Sequence, residues 1–269
     1  VMWSHAATQA NVALLRSRGA LIVGPSSGDL ASGDTGAGRL ADISLIVGHT
    51  LRILGRQGDL AGRHIVVTAG GTQEPIDPVR CVTNRSSGKM GYALAEAARD
   101  RGADVTLITT PTALRAPAAM EVVNVMTALE MADATREAVK SADALIMAAA
   151  VADFRPSVAA KDKIRKRNGA LSLTLEPTVD ILGTVKGEFV RVGFAAESSH
   201  LRKNAEAKLR EKDLDFIVAN DISASDSGFG SDNNRVTILD RTGQAEELPL
   251  MPKREVAERI LDRVVALLT

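Results

Sequence analysis

The strongest regularity in the chain begins at His64, where short apolar runs alternate with longer stretches that are apolar at every third or fourth position. The runs "HIVVTA" (64–69), "DVTLIT" (104–109), "MEVVNV" (120–125), "DALIMAA" (143–149), "RVGFAA" (191–196) and "DFIVAN" (215–220) predict strands. The periodic stretches between them predict helices near 88–101, 127–140, 200–213 and 252–268. Strands that are apolar throughout are covered on both faces, and such alternation with helices marks a mostly parallel sheet. The expected fold is α/β, Rossmann-like and three-layered, with a mostly parallel central sheet. Two segments, "ALSLTLEP" (170–177) and "NRVTILD" (234–240), alternate polar with apolar and predict an extra edge strand or ribbon.

Residues 1–60 follow another pattern: an amphipathic stretch (7–19), a short apolar run "ALIVG" (20–24) that predicts a strand, then the Gly- and Ser-rich "PSSGDLASGDTGAGRL" (25–40). One helix and one strand cannot bury both their faces, so this part is expected to be the tail of a domain lying upstream. Residues 42–55 have helical periodicity and lead into "GRQGDLAG", a short linker.

Composition narrows the classes. The chain has 269 residues, 45% hydrophobic and 25% charged, enough for one large or two small globular domains. Its 33 basic and 33 acidic side chains balance, which argues against nucleic acid or an anionic membrane as partner, so any anion site must be local. No run of about 18 apolar residues and no signal-peptide pattern is visible, so a soluble, cytoplasmic protein is expected. The single cysteine, Cys81, excludes an internal disulfide, and His5, His49, His64 and His200 show no metal-ligand spacing.

In open α/β sheets ligands sit beyond the carboxyl ends of the strands. After "HIVVTA" comes "GGTQEPIDPVRCVTNRSSGKMG", about 20 residues where such a loop ordinarily takes 2–6. Gly70 and Gly71 permit a tight turn or a close backbone approach. Ser86, Ser87 and Gly88 precede a helix whose free N–H groups favour an anion, although an ordinary serine cap fits the local pattern equally well. The stretch is no Walker A loop: Thr83 replaces the first glycine and Met90 follows Lys89 where Ser or Thr is needed. Nor is there a G-x-G-x-x-G fingerprint, and the second strand ends in Thr109 and Thr110 without a ribose-binding acid, which disfavours a dinucleotide oxidoreductase.

The fourth predicted strand runs into "AAAVADFRP", where small Ala148 and Ala149 allow close approach and Asp153 is the first acid at the rim, able to help hold Mg²⁺ between phosphates. Five basic side chains follow between Lys161 and Arg167. Basic runs are mostly solvated surface, but this one lies in a strand-end loop. Asp180 in "EPTVDIL" reads as an acid compensating a helix start. Phe194 reads as core or as a stacking platform, and Lys208 and Lys212 share a helix face.

Taken together, "GGTQEPIDPVR", "TNRSSGKMG", "AAAVADFRP", "KDKIRK", "GFAAES" and "VAND" resemble, in order, the bacterial phosphopantothenate-cysteine ligases. The resemblance assigns 62–269 to a CTP-dependent ligase domain, 43–61 to a linker helix and loop, and 1–42 to the C-terminal remnant of the decarboxylase domain commonly fused ahead of it. It implies coenzyme A synthesis: 4'-phosphopantothenate attacks CTP to give an acyl-cytidylate and pyrophosphate, and L-cysteine then displaces CMP. The catalytic residues it implies are Asn84 and Lys163. The CTP contacts it implies are Met147, Ala148, Ala149, Asp153, Lys163, Thr178, Val179, Asp180, Ile181, Phe194, Lys208 and Lys212, with Asp153 also near the metal. Phosphate or phosphopantothenate falls to Gly70, Gly71, Asn84, Ser86, Ser87 and Gly88. Mg²⁺ and a homodimer formed through the ligase domain are implied as well.

Three positions depart from the family pattern: "TVD" stands where Asn-Pro often precedes the aspartate, Arg165 replaces a lysine, and Ser32 occupies the place of the decarboxylase cysteine. With the flavin-binding strands also missing, FMN and decarboxylase activity are not expected in this chain. The competing readings are another Rossmann-like nucleotide-binding enzyme and a non-catalytic regulatory relative. The choice of cytosine rests on the resemblance alone.

Overall fold

The computed structural model describes residues 2–166, 170–197, 201–221 and 230–269. Arg167 of the basic run, Ser198 of "GFAAES", His200 and most of the polar loop after "VAND" lie outside them.

The N-terminal part opens with α1 (Ala6–Ser17), capped by His5, whose Nδ1 accepts from the Ala7 N–H at 3.2 Å. The run "ALIVG" forms no strand, contrary to expectation. A strand needs a partner for its N–H and C=O groups, and the partners lie further on, where β1 (Ser26–Asp29) and β2 (Thr35–Arg39) pair as an antiparallel hairpin. The Leu30 N–H donates to Asp34 O across its turn at 2.8 Å. Next, α2 (Ile43–Leu54) docks on the main body: Arg52 donates to Gly102 O and to Asp104, and a Cβ at Gly55 would stand 2.0 Å from Asp100 O.

The body comprises β3 (His64–Ala69), β4 (Gln73–Asp77), β5 (Arg80–Thr83), α3 (Lys89–Asp100), β6 (Asp104–Thr109), β7 (Glu121–Asn124), α4 (Ala128–Ala138) and β8 (Ala144–Met147). It continues with β9 (Phe154–Pro156), β10 (Leu175–Pro177), α5 (Ile181–Thr184), β11 (Val190–Glu197), α6 (Leu201–Glu211), β12 (Phe216–Asp221), β13 (Asn233–Asp240), β14 (Ala245–Pro252) and α7 (Lys253–Leu268). Eight strands form the central sheet in the order β14-β13-β12-β11-β8-β3-β6-β7. The six from β12 to β7 are parallel, while β13 and β14 close one edge antiparallel. The expected three-layer α/β fold is thus present.

Alternate side chains of the strands feed two cores, as a period of two requires. On one face Ile65, Val67, Leu107, Val192 and Val218 pack with Leu94 and Ala97 of α3 and Val256, Ile260 and Val264 of α7. On the other, Val66, Ile108, Leu145 and Ile217 pack with Met131 of α4, Leu182 of α5 and Leu209 of α6. Each fully buried side chain of this size contributes about 1.5–3 kcal/mol. Helix α4 starts where Thr127 and Glu130 form a reciprocal capping box. Among the described residues no helix is long and apolar enough to cross a membrane.

Two features exceed the sequence reading. The long excursion after β3 contains the β4–β5 hairpin, and "AEELPLMP" supplies β14. Of "ALSLTLEP", only Leu175–Pro177 is strand, pairing with β9 as a separate ribbon.

Candidate active site

The strand order reverses at β3: β6 follows on one side, β8 on the other. At such a switch point the loops from adjacent carboxyl ends diverge and leave a crevice. A cleft of about 960 Å³ opens there, walled by the loop after β3 and the start of α3, the segments after β8 and before α5, the end of β11, α6, and Asn220 of β12. Met147, Ala148, Ala149, Asp153, Thr178, Val179, Asp180, Ile181, Phe194, Lys208 and Lys212 all line it, with Asn84, Ser86, Ser87 and Gly88. Among the sequence candidates, Gly70, Gly71 and Lys163 are not part of its wall.

The α3 start is built around close packing. Gly88 is the N-cap, in the left-handed region at φ 77° with no side-chain cap bond, so the cap is Gly88 itself and not a serine. The hydroxyls accept long bonds, Ser86 Oγ from Gly88 N–H at 3.4 Å and Ser87 Oγ from Lys89 N–H at 3.5 Å. A Cβ on Gly91 would lie 2.6 Å from Ala69 Cβ and 2.8 Å from Thr68 O, which brings the helix hard against β3. Asn84 Nδ2 donates to Ala150 O at 3.2 Å and Val151 O at 3.0 Å, tying the loop after β3 to the loop after β8. That loop is further fixed by the Ala149 N–H on Thr68 Oγ1 (3.2 Å) and the Ala152 N–H on Thr72 Oγ1 (2.9 Å).

The opposite wall is cationic. Lys208 Nζ donates to Phe194 O at 3.0 Å, and Lys212 Nζ contacts Asp180 Oδ2 at 2.5 Å. Asp180 caps α5, accepting from the Gly183 N–H at 3.1 Å. Burial pushes its carboxyl up, but the Lys212 hydrogen bond, the Gly183 N–H and the charges of Lys212 and Lys208 outweigh that and hold it below its ordinary range. Thr178 N–H donates to Asp153 O at 2.9 Å and its hydroxyl to Ala152 O at 2.5 Å, so two walls share one backbone junction. Asp153 is exposed, and no cluster of three or more metal-ligating side chains occurs among the described residues. The donor set suits a cation held mainly by phosphate oxygens with one carboxylate, as Mg²⁺ is.

Gly70 and Gly71 stand behind the wall. Gly70 has φ 86°, and a Cβ there would lie 2.1 Å from Thr110 Oγ1; its carbonyl accepts from the Ala150 N–H at 2.8 Å. Lys163 is exposed on a segment bound to the hairpin: Ala160 N–H donates to Ile76 O (2.9 Å) and Ile164 N–H to Asp77 Oδ2 (3.1 Å). Asp77 is the clasp. It also accepts from the N–H groups of Val79 and Arg80 and pairs with the Arg80 guanidinium at 2.7 Å. Burial raises its carboxyl, and the N–H donors of Val79, Ile164 and Arg80 with the Arg80 charge outweigh this and lower it.

Among the polar residues that the sequence reading did not assign to the site are Asp77 and, in the cleft wall, Arg85, Lys89, Asn220, Asn234 and Lys253. Lys89 pairs with Asp232 at 2.7 Å. Lys253 is 6% exposed and donates to the carbonyls of Ser231 and Asn233. Burial, then the like charge of Lys89, lowers its ammonium to about 8 against the pull of Asp232. Oδ1 of Asn220 and of Asn234 is buried with no hydrogen-bond partner among the described residues. Lysine at a helix start was the one available signal, since helix dipoles disfavour it there.

The comparisons with known proteins agree with this fold. Residues 60–268 match the family described as DNA/pantothenate metabolism flavoprotein C-terminal domain. Over 99% of its length the chain is 43% identical to the coenzyme A biosynthesis bifunctional protein CoaBC of Bacillus subtilis and 44% identical to that of Mycobacterium tuberculosis. It spans 67% and 68% of those proteins, about two thirds. A crystal structure of the C-terminal domain of a CoaBC protein superposes with a TM-score of 0.67 at 42% identity, covering 78% of this chain and 98% of that one. An eight-stranded sheet with its cleft at the β3 switch point, a match over most of the chain and this level of identity together place the chain in the DNA/pantothenate metabolism flavoprotein C-terminal domain family.

Proposed function

We infer that the chain acts as a phosphopantothenate-cysteine ligase in coenzyme A biosynthesis and draws its energy from CTP. The observation that carries this reading is the meeting of Asn84, Phe194, Lys208 and Lys212 in one cleft, in a chain whose relatives are coenzyme A biosynthesis proteins. In the first step a carboxylate oxygen of 4'-phosphopantothenate attacks the α-phosphorus of CTP. An O–P bond forms, and pyrophosphate leaves with the electron pair of the broken one. In the second, the amine of L-cysteine attacks the acyl carbon, CMP departs with the C–O electrons, and the amine proton goes to solvent.

The substrate supplies the nucleophile, so the protein's share is alignment and charge. Phe194, half-buried at the end of β11, offers a flat face to a base, while Lys208 and Lys212 offer cations to the nucleotide. A cation about 4 Å from a phosphate oxygen is worth roughly 4 kcal/mol at an effective dielectric near 20. Asn84 stands where the two strand-end loops are tied, which suits an amide that must hold one position as charge develops. Mg²⁺, when bound, would neutralise phosphate charge, with Asp153 as its protein carboxylate.

The working unit in this reading is a homodimer. Val79, Phe154, Val158 and Leu175 are exposed apolar side chains on or beside the hairpin and the β9–β10 ribbon, the same region that carries Lys163. A second copy covering them would bring the Lys163 segment to a cleft that its own chain leaves without it. The test is CTP-dependent release of pyrophosphate with 4'-phosphopantothenate, followed by amide formation with L-cysteine. Lys163→Ala is expected to abolish the first step; release of pyrophosphate by that variant at the normal rate refutes the assignment.

A further inference from the structure

The segment after β8 is held to the end of β3 and the loop beyond it almost residue by residue. The Ala149 N–H donates to Thr68 Oγ1 (3.2 Å), the Ala150 N–H to Gly70 O (2.8 Å) and the Ala152 N–H to Thr72 Oγ1 (2.9 Å). Thr72 is fully buried and lies outside the cleft wall, so it acts on anything in the cleft only through its neighbours. What its hydroxyl holds is one end of a peptide unit. The Val151 C=O and the Ala152 N–H lie in one plane, and the partial double bond between them makes them turn together. Thr72 Oγ1 takes the N–H end, while Asn84 Nδ2 donates to the C=O end at 3.0 Å. Asn84 Nδ2 also donates to Ala150 O at 3.2 Å, and the Thr72 N–H reaches that same oxygen at 3.3 Å. Asn84 is exposed, so these two carbonyls, rather than packing, orient its amide.

The peptide groups on either side have holds of their own. Thr178 donates from its hydroxyl to Ala152 O (2.5 Å) and from its N–H to Asp153 O (2.9 Å), while Thr68 and Gly70 keep Ala149 and Ala150. Loss of the Thr72 hydroxyl therefore strikes one plane. Ala152 is 4% exposed, and a buried N–H without an acceptor is costly enough to swing the plane and draw Val151 O away from Asn84. We propose that Thr72 is a positioning residue for amide formation, acting through the Val151–Ala152 peptide plane to fix the side-chain amide of Asn84. This rests on the ligase reading, in which Asn84 acts on the acyl-cytidylate. Phe194, Lys208 and Lys212 stand on other elements, so the loosened plane leaves the nucleotide side in place.

The test compares Thr72→Val, which exchanges the hydroxyl for a methyl of similar size, with Thr72→Ser, which keeps the hydroxyl. Thr72→Val is expected to slow amide formation with L-cysteine tenfold or more and to let acyl-cytidylate accumulate, while pyrophosphate release in a single turnover and the KM for CTP stay within twofold. Thr72→Ser is expected to stay within twofold of wild type in both steps. Equal slowing of the two steps, no slowing, or a serine variant as poor as the valine one overturns the proposal. Should Thr72→Val melt below the assay temperature, Thr72→Ala, which sets no methyl against the Ala152 N–H, carries the same expectations. Nuclear magnetic resonance reads the hold without catalysis: the Ala152 N–H protected from exchange and the Asn84 side-chain amide ordered in wild type and Thr72→Ser, both loosened in Thr72→Val. A wild type that makes no amide but shows this pattern refutes the ligase reading and leaves the hold on the plane. The same exchange and order in all three proteins refutes the hold itself.

Discussion

Gly91→Ala puts the placement of helix α3, which starts in the cleft wall, to a quantitative test. Alanine has the higher helix propensity, by at most about 1 kcal/mol, so a helix judged in isolation would gain from the change. The structure predicts the opposite sign. The new methyl would meet Ala69 Cβ at 2.6 Å, Thr68 O at 2.8 Å and Ala69 Cα at 3.0 Å, two of which are backbone atoms of the central strand β3. Carbon contacts relax only near 3.5–4.0 Å, so α3 has to retreat by roughly 1 Å. Overpacking of this kind costs about 1–3 kcal/mol, leaving a net loss of up to about 2 kcal/mol once the full propensity gain is subtracted. The retreat carries Ser86, Ser87 and Gly88 with it, and a 1 Å misplacement of positioning groups costs about 10²-fold in rate. Urea unfolding and initial rates of pyrophosphate release measure the two effects. Gly36→Ala is the control, because its methyl would meet nothing nearer than Leu30 Cδ1 at 3.9 Å. A Gly91→Ala protein of higher stability and unchanged rate would refute the reasoning.

Asp77→Asn removes the charge of the clasp that holds the Lys163 segment to the hairpin, so pyrophosphate release should fall tenfold or more while CMP affinity is kept; equal losses in both would place the effect elsewhere. Because its carboxyl is lowered in the folded protein, its stabilisation is present above the ordinary aspartate range and is lost as pH falls through the lower folded value. Asn84→Asp turns a donor to two carbonyls into an acceptor that repels them, so intermediate should form while amide product fails; normal amide yield contradicts this. Burial, then the like charge of Lys89, lowers the Lys253 ammonium to about 8, while the unfolded chain holds the proton up to about 10.5, so wild type should gain stability relative to Lys253→Met as pH rises from about 8 to 10.5; urea unfolding across that range reads it, and a difference that stays flat contradicts it.

What was legible in the sequence follows from what is local. Strands such as "HIVVTA" and "DALIMAA" are buried on both sides and therefore apolar without interruption, so period and length identified them. The same logic misled at "ALIVG", whose composition suits a strand while no partner ladder stands beside it. The hairpin β4–β5 was hidden because Pro75 and Pro78 read as loop, and its shape depends on Asp77 gathering N–H groups from both its own turn and the Lys163 segment. Likewise the cap of α3 proved to be Gly88 in a left-handed conformation, a choice set by the approach of Gly70 and Thr112 behind it.

The cleft divides in the same way. Phe194, Lys208 and Lys212 in its wall belong to one strand-helix unit and stand together whenever β11 and α6 form, so a reading of linear motifs reaches them. Lys89 and Lys253 belong to helices that meet only because α3 and α7 pack side by side on the same face of the sheet, with Leu94 and Ala97 against Val256 and Ile260. Burying that helix pair brings both N-termini to the rim, whatever the residues there. Neutral side chains at the two starts would have sufficed for the packing. Two lysines at those positions oppose both dipoles, and both are held by the segment that leads into β13: Lys89 by Gly230 O and Asp232, Lys253 by the carbonyls of Ser231 and Asn233, so the two helix starts and that segment are fixed together.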